Sequence, residues 1–136
     1  MMTGPCDSWP CPPDLPTLSG REVHVWRVAL DVGPKHAAGL EAMISADERA
    51  RAARYRRAEN RIRFIAGRGT LRRLLGAYLR RDPRALAFGY GAWGKPVLIE
   101  GGGLAFNLSH ARDLALVAVA RGCDVGVDVE WIRPVA

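Results

Sequence analysis

Long apolar runs are missing from this sequence: no stretch approaches the ~20 residues needed to cross a bilayer. No basic region followed by an apolar core opens the chain, so nothing here reads as a secretory signal. A cytoplasmic protein that engages no membrane is therefore expected. Cysteine is scarce and odd in number, with Cys6, Cys11 and Cys123, and the three histidines (His24, His36, His110) are scattered. Neither set has the spacing of a Cys/His metal centre or a disulfide framework, so free thiols in a reducing compartment are expected. Internal repeats, a P-loop and a Gly-x-Ser-x-Gly nucleophile elbow are absent as well. Acidic residues are nearly missing from one block: between Arg49 and Arg73 stand ten arginines and a single acid, Glu59.

What is present suits one globular domain. The chain has 136 residues, 49% of them hydrophobic, enough to bury a core. Its formal charge of +6 is concentrated in the arginine block. Such a block can face nucleic acid, an anionic membrane, a phosphorylated ligand or an acidic protein, or simply water. Nucleic-acid binding is disfavoured, because it calls for stacking aromatics beside the basic groove and only Tyr55 and Phe64 lie in that stretch.

Residues 1–20 hold five of the nine prolines and read as a disordered leader. Residues 21–136 form the expected folded lobe. From Glu22 to Asp31 the apolar positions alternate as in a strand with one face more buried than the other. Ser45-Ala46-Asp47-Glu48 is a capping box, predicting a helix from about Ala46 toward Arg57. A longer helix is predicted from Glu59 to Arg80, apolar on several sides and so well covered. Gly67 and Gly69 inside it predict a close neighbour. Short runs at Ala87–Tyr90, Pro96–Ile99, Leu104–Leu108, Leu114–Arg121 and Val125–Trp131 read as strands joined by tight turns. The predicted fold is α+β, a long helix packed on a mostly antiparallel sheet.

Four local patterns can carry chemistry. On a strand, Asp128 and Glu130 of Gly126-Val127-Asp128-Val129-Glu130 point to one face, as an oxygen-loving cation such as Mg²⁺ requires. An acidic, solvated edge fits the same pattern. Ser109 and His110 close the run Phe106-Asn107-Leu108-Ser109-His110, either as anion donors or as caps of a turn. Lys95 sits in the turn Gly94-Lys95-Pro96, where it can act as a point charge toward a phosphate. Arg61, Arg68 and Arg72 share a narrow arc of the long helix, where they can grip phosphate or lie exposed.

Asn-Leu-Ser-His followed at this interval by Gly-Val-Asp-Val-Glu, after Arg63-Phe64-Ile65-Ala66-Gly67-Arg68 and Gly94-Lys95-Pro96, resembles the N-terminal half of the surfactin-synthetase-activating (Sfp) type of 4′-phosphopantetheinyl transferase. The resemblance runs from about Val23 to Pro134. It implies one lobe of a two-lobed enzyme that moves 4′-phosphopantetheine from coenzyme A to a serine of an apo acyl or peptidyl carrier protein. It further implies Asp128 and Glu130 as catalytic residues and Mg²⁺ ligands, and Ser109 and His110 at the 3′-phosphate of coenzyme A. Lys95 and Arg68 would take other phosphate oxygens. The family's Trp-x-x-Lys-Glu-Ala motif is absent, so a fragment inactive alone is expected, paired with a C-terminal half or with a second copy in a weak homodimer. The alternative is a non-catalytic module that binds coenzyme A or a nucleotide.

Overall fold

The structure, a computed structural model, describes Trp9 and residues 15–135. Most of the expected leader, with Cys6 and Cys11, lies outside the described residues. Leu18, within the leader's expected range, is buried against the core.

Among the described residues five strands and three α-helices follow in the order β1 (Val23–Ala29), α1 (Pro34–Glu41), α2 (Ala46–Ala53), α3 (Ala58–Leu79), β2 (Phe88–Tyr90), β3 (Pro96–Leu98), β4 (Leu104–Ala111) and β5 (Leu114–Arg121). The larger sheet has the order β1-β5-β4, antiparallel throughout, and β2 pairs with β3 in a separate antiparallel ribbon. The expected α+β architecture is present. Central position explains why β5 is nearly all apolar: neighbours flank it on both sides, and Ala115, Val117, Ala118, Val119 and Ala120 are buried.

On β1 the alternation resolves as a more covered face, with His24 and Trp26 half-buried and Val28 buried, against an exposed one that includes Val23 and Val25. The polar atoms of the inner face meet one partner. Trp26 Nε1 donates to Tyr78 Oη at 2.8 Å, and His24 Nδ1 lies 2.6 Å from the same oxygen. The hydroxyl thus satisfies two polar side chains beside the core, where leaving them unpaired would be costly.

The capping box forms: Ser45 Oγ accepts from the Glu48 N–H at 3.2 Å, and Glu48 Oε1 accepts from the Ser45 N–H at 2.8 Å. Helix α2 ends at Ala53, short of Arg57, and α3 then runs to Leu79, close to the predicted span. It buries residues on most of its sides, including Ile65, Ala66, Leu71, Leu74, Leu75 and Tyr78. Arg80 stops it in the left-handed conformation, φ 54°. Helix α1 had no counterpart in the sequence reading. It starts with Pro34 in its first turn and buries only Ala37 and Leu40, too few for a periodic signal.

Gly69 is where α1 crosses α3. A Cβ added there would sit 2.7 Å from Leu40 Cβ and 2.8 Å from Leu40 O. Since Leu40 is fully buried, neither helix can yield cheaply. Gly69→Ala should cost about 1–3 kcal/mol, the usual penalty of overpacking, read as a lower denaturant midpoint. At Gly67 the added Cβ would make only an ordinary 3.5 Å contact with Leu30 Cδ2, so Gly67→Ala should be far milder.

Residues 125–131 form no strand. The segment does alternate, with Val125, Val127 and Val129 half-buried and Gly126, Asp128 and Glu130 exposed. What is missing is a ladder. The Val127 N–H donates to Asn107 Oδ1 at 2.8 Å and the Val129 N–H to Ser109 Oγ at 3.1 Å. Side chains of β4 have taken the place of strand carbonyls.

Candidate active site

A cavity of about 360 Å³ lies between α3 and the inner face of the β4–β5 hairpin, within the size range of small-ligand sites. Phe64, Gly67, Arg68 and Leu71 of α3 form one wall, and Leu108, His110, Arg112 and Ala115 form the other. Arg51 of α2, Gly94 of the β2–β3 connection and Pro96 at the start of β3 also line it. The lining combines apolar side chains such as Phe64, Leu71 and Leu108 with the guanidinium groups of Arg51, Arg63, Arg68 and Arg112, a setting that suits an anion carrying an apolar body.

Arg68 is fixed by neighbours on two sides. Its Nη1 donates to Glu48 Oε2 at 2.8 Å and to Tyr90 Oη at 3.0 Å, and its guanidinium stacks near the Phe64 and Phe88 rings. Glu48 is itself buried and accepts a second ion pair, from Arg72 Nε at 2.6 Å. Burial pushes the Glu48 carboxyl up. The Ser45 N–H and the two arginines outweigh that and hold it below the usual carboxylate range.

The arginine stripe read on α3 therefore divides. Arg68 lines the cavity. Arg72 is buried and also donates to the carbonyls of Pro83 and Leu86, both at 2.9 Å, so it is a structural anchor for the chain leaving α3. Arg61 donates to the Tyr55 carbonyl at 3.2 Å. The Phe64 ring has the Arg51 guanidinium 5.1 Å and the Arg68 guanidinium 5.4 Å from its centroid, so it is engaged with cations of this chain.

His110 lines the cavity, while Ser109 does not. Adjacent residues of a strand point to opposite faces, and Ser109 belongs with the carboxylate segment. Its hydroxyl donates to Asp128 Oδ1 at 3.0 Å while accepting from the Val129 N–H. Lys95 lies between two cavity-lining residues, in a turn closed by the Gly91 N–H donating to the Lys95 carbonyl at 2.8 Å. Its side chain is exposed.

Asp128 and Glu130 are exposed on the same side of an extended segment, and both offer only oxygen donors. That chemistry fits a hard cation which keeps waters and takes further oxygens from a ligand. Among the described residues no cluster of three or more His, Cys, Asp or Glu side chains converges, so two carboxylates are what these residues offer. Cys123 is an exposed free thiol, apart from this set. No helix among the described residues is long and apolar enough to cross a membrane.

The sequence reading did not single out Arg51, Arg63 or Arg112. The first two were hidden in the arginine block, where position alone does not tell a cavity-facing guanidinium from a solvated one. Arg112 carried no signal, since nothing local tells a turn arginine that lines a cavity from one in solvent.

No protein-family model matches the sequence. Named relatives do. The 4′-phosphopantetheinyl transferase HetI of Nostoc sp. is 47% identical over 128 residues, covering 92% of this chain and 54% of that protein. The Synechocystis sp. protein slr0495, given the same activity by name, is 30% identical over 93% of this chain and 44% of its own length. The 4′-phosphopantetheinyl transferase AcpT of Salmonella typhimurium is 38% identical over 54% of this chain and 35% of its own length. The chain thus spans about half the length of the first two of these relatives. Identity of this extent reflects common descent, and the chain belongs with the 4′-phosphopantetheinyl transferases, matching a segment of about half their length.

Proposed function

We propose that the chain is the coenzyme A-binding lobe of an Sfp-type 4′-phosphopantetheinyl transferase, the N-terminal half of a two-lobed enzyme that loads an apo acyl or peptidyl carrier protein. The observation that carries this reading is the cavity lined both by Arg68 of α3 and by His110 of β4. Coenzyme A is a polyanion with an apolar adenine face and a long arm, which suits a cavity lined by both arginines and apolar side chains. In this reading Arg68 and His110 contact phosphate oxygens, with Lys95 reaching in from the rim. Ser109 holds Asp128 and the Val129 backbone, so it is assigned to positioning the carboxylate segment.

The reaction would be a phosphoryl-group transfer. The carrier's serine oxygen forms a bond to the phosphorus bearing the pantetheine arm. The bond from that phosphorus to the bridging oxygen breaks, adenosine 3′,5′-bisphosphate leaves, and the serine proton goes to a base. Such a transfer needs alignment and charge neutralisation more than a protein nucleophile. Asp128 and Glu130 are the residues that would hold Mg²⁺, whose charge would offset that of the pyrophosphate.

Calorimetry on this chain tests the binding half of the proposal. Coenzyme A should bind more tightly than dephospho-coenzyme A, by about tenfold for one charge-assisted contact. His110→Ala should shrink that preference. Equal affinity of the two ligands for the parent chain would overturn the placement of the 3′-phosphate at His110. The transfer half is tested by mass-shift labelling of an apo carrier, with and without the C-terminal half of a relative added in trans. Labelling only with both halves is expected. Coenzyme A binding with no labelling in either arm would favour the non-catalytic module.

A further inference from the structure

We propose that Arg112 is a ligand-contacting residue of the cavity, facing the anion beside His110, and that its stack on Trp131 joins this end of the site to the Asp128–Glu130 segment. The inference rests on the reading of the cavity as a phosphate site.

Three observations lead to it. First, Arg112 lines the cavity on the same hairpin as His110. The charges of Arg63 and Arg68, on the opposite wall, are offset by Asp31 at 2.8 Å and Glu48 at 2.8 Å. Arg112 has no carboxylate within ion-pair distance among the described residues. It meets the Trp131 ring instead, its guanidinium carbon 4.0 Å from the centroid. A cation held by a ring keeps its donors and most of its charge for a ligand.

Second, its backbone is costly. Ala111 and Leu114 pair across the hairpin, so Arg112 and Asp113 are the two residues of the turn. Arg112 has φ 54°, and Asp113 is not among the residues with positive φ. In such a turn the first central position favours glycine, and a long side chain there calls for a reason in what the side chain does.

Third, Trp131 follows Glu130 directly, in a segment with no strand ladder. The contacts described above from Asn107 and Ser109 hold it at residues 127–129. The Arg112–Trp131 stack adds a hold beyond the carboxylates, and it is made by a residue that also faces the cavity. A ligand that draws the guanidinium toward its phosphate would therefore be felt at Trp131.

The test uses coenzyme A as probe and this chain as protein. Arg112→Gly relieves the turn, so its thermal midpoint should be equal to or above the parent's. Its affinity for coenzyme A should nevertheless fall about tenfold, the loss of one charge-assisted contact. Arg112→Lys keeps the charge but not the planar stack and should fall between. Arg73→Ala removes an equal charge from an exposed position of α3 outside the cavity and should bind like the parent. Coenzyme A should also change the tryptophan fluorescence, and Trp131→Phe should remove most of that change. Parent-like affinity in Arg112→Gly, or equal losses in Arg112→Gly and Arg73→Ala, would overturn the proposal while leaving the cavity's assignment standing. No binding of coenzyme A to the parent would overturn both.

Discussion

Glu48→Ala should cost about 3–5 kcal/mol, the penalty of leaving a buried ion-pair partner uncompensated, and so remove much of a domain's usual 5–15 kcal/mol. The side chain does three things at once. It closes the capping box of α2, receives Arg72 at 2.6 Å and receives Arg68 at 2.8 Å. Truncation strands two guanidiniums, one of them only 3% exposed, and unties α2 from α3. Glu48→Gln keeps an acceptor for the Ser45 N–H and should cost less.

The same carboxylate sets an acid response. Its folded pKa lies below its ordinary value, so its contribution is complete at neutral pH. That contribution fades as pH drops below roughly 4.3 and through the lower folded value. Asp31 and Asp82 are also held low, by hydrogen bonds from Arg63 and Arg84, but both are exposed and should matter less. Denaturant midpoints at pH 7 and at steps from pH 5 to 3 should show the parent weakening on acidification and Glu48→Gln weakening less. A parallel fall in both proteins would place the acid-labile group elsewhere.

Mg²⁺ should strengthen coenzyme A binding by about tenfold or more, a step of at least 1.4 kcal/mol, and Asp128→Asn and Glu130→Gln should each remove most of that gain. Both substitutions keep size and hydrogen-bonding capacity while deleting the charge a divalent cation requires. Asp128→Asn also retains an oxygen for the Ser109 hydroxyl, so the segment should stay in place. Calorimetry with and without the ion reads the effect directly. An undiminished Mg²⁺ dependence in both variants would sink the assignment of these carboxylates. Ser109→Ala should give a smaller loss, because it frees the Val129 N–H and Asp128 without removing either carboxylate.

Much of the fold was open to reading because it rests on local chemistry. The capping box at Ser45, the long helix stopped before Asp82-Pro83, and the paired strands at 104–111 and 114–121 each follow from neighbours in sequence. The family resemblance also rests on local strings of residues, and relatives named as such transferases match the chain over most of its length. Expectations that needed a partner in space fared differently. Arg68 and Arg72 are four residues apart, yet one lines the cavity and the other is buried against Pro83 and Leu86 carbonyls. Ser109 and His110 are neighbours, yet the pleat sends them to different faces of β4. Val125–Trp131 has the alternation of a strand, but a ladder depends on what lies alongside. Here the Asn107 and Ser109 side chains do. By itself the sequence determined the longer elements and the chemistry available, since propensity, capping and periodicity act over a few residues, whereas α1 buries too few residues to leave a periodic signal. Only the tertiary structure decided which arginines line the cavity, that Glu48 pairs with both Arg68 and Arg72, and what holds the carboxylate segment. Those outcomes depend on distances between residues far apart in the chain.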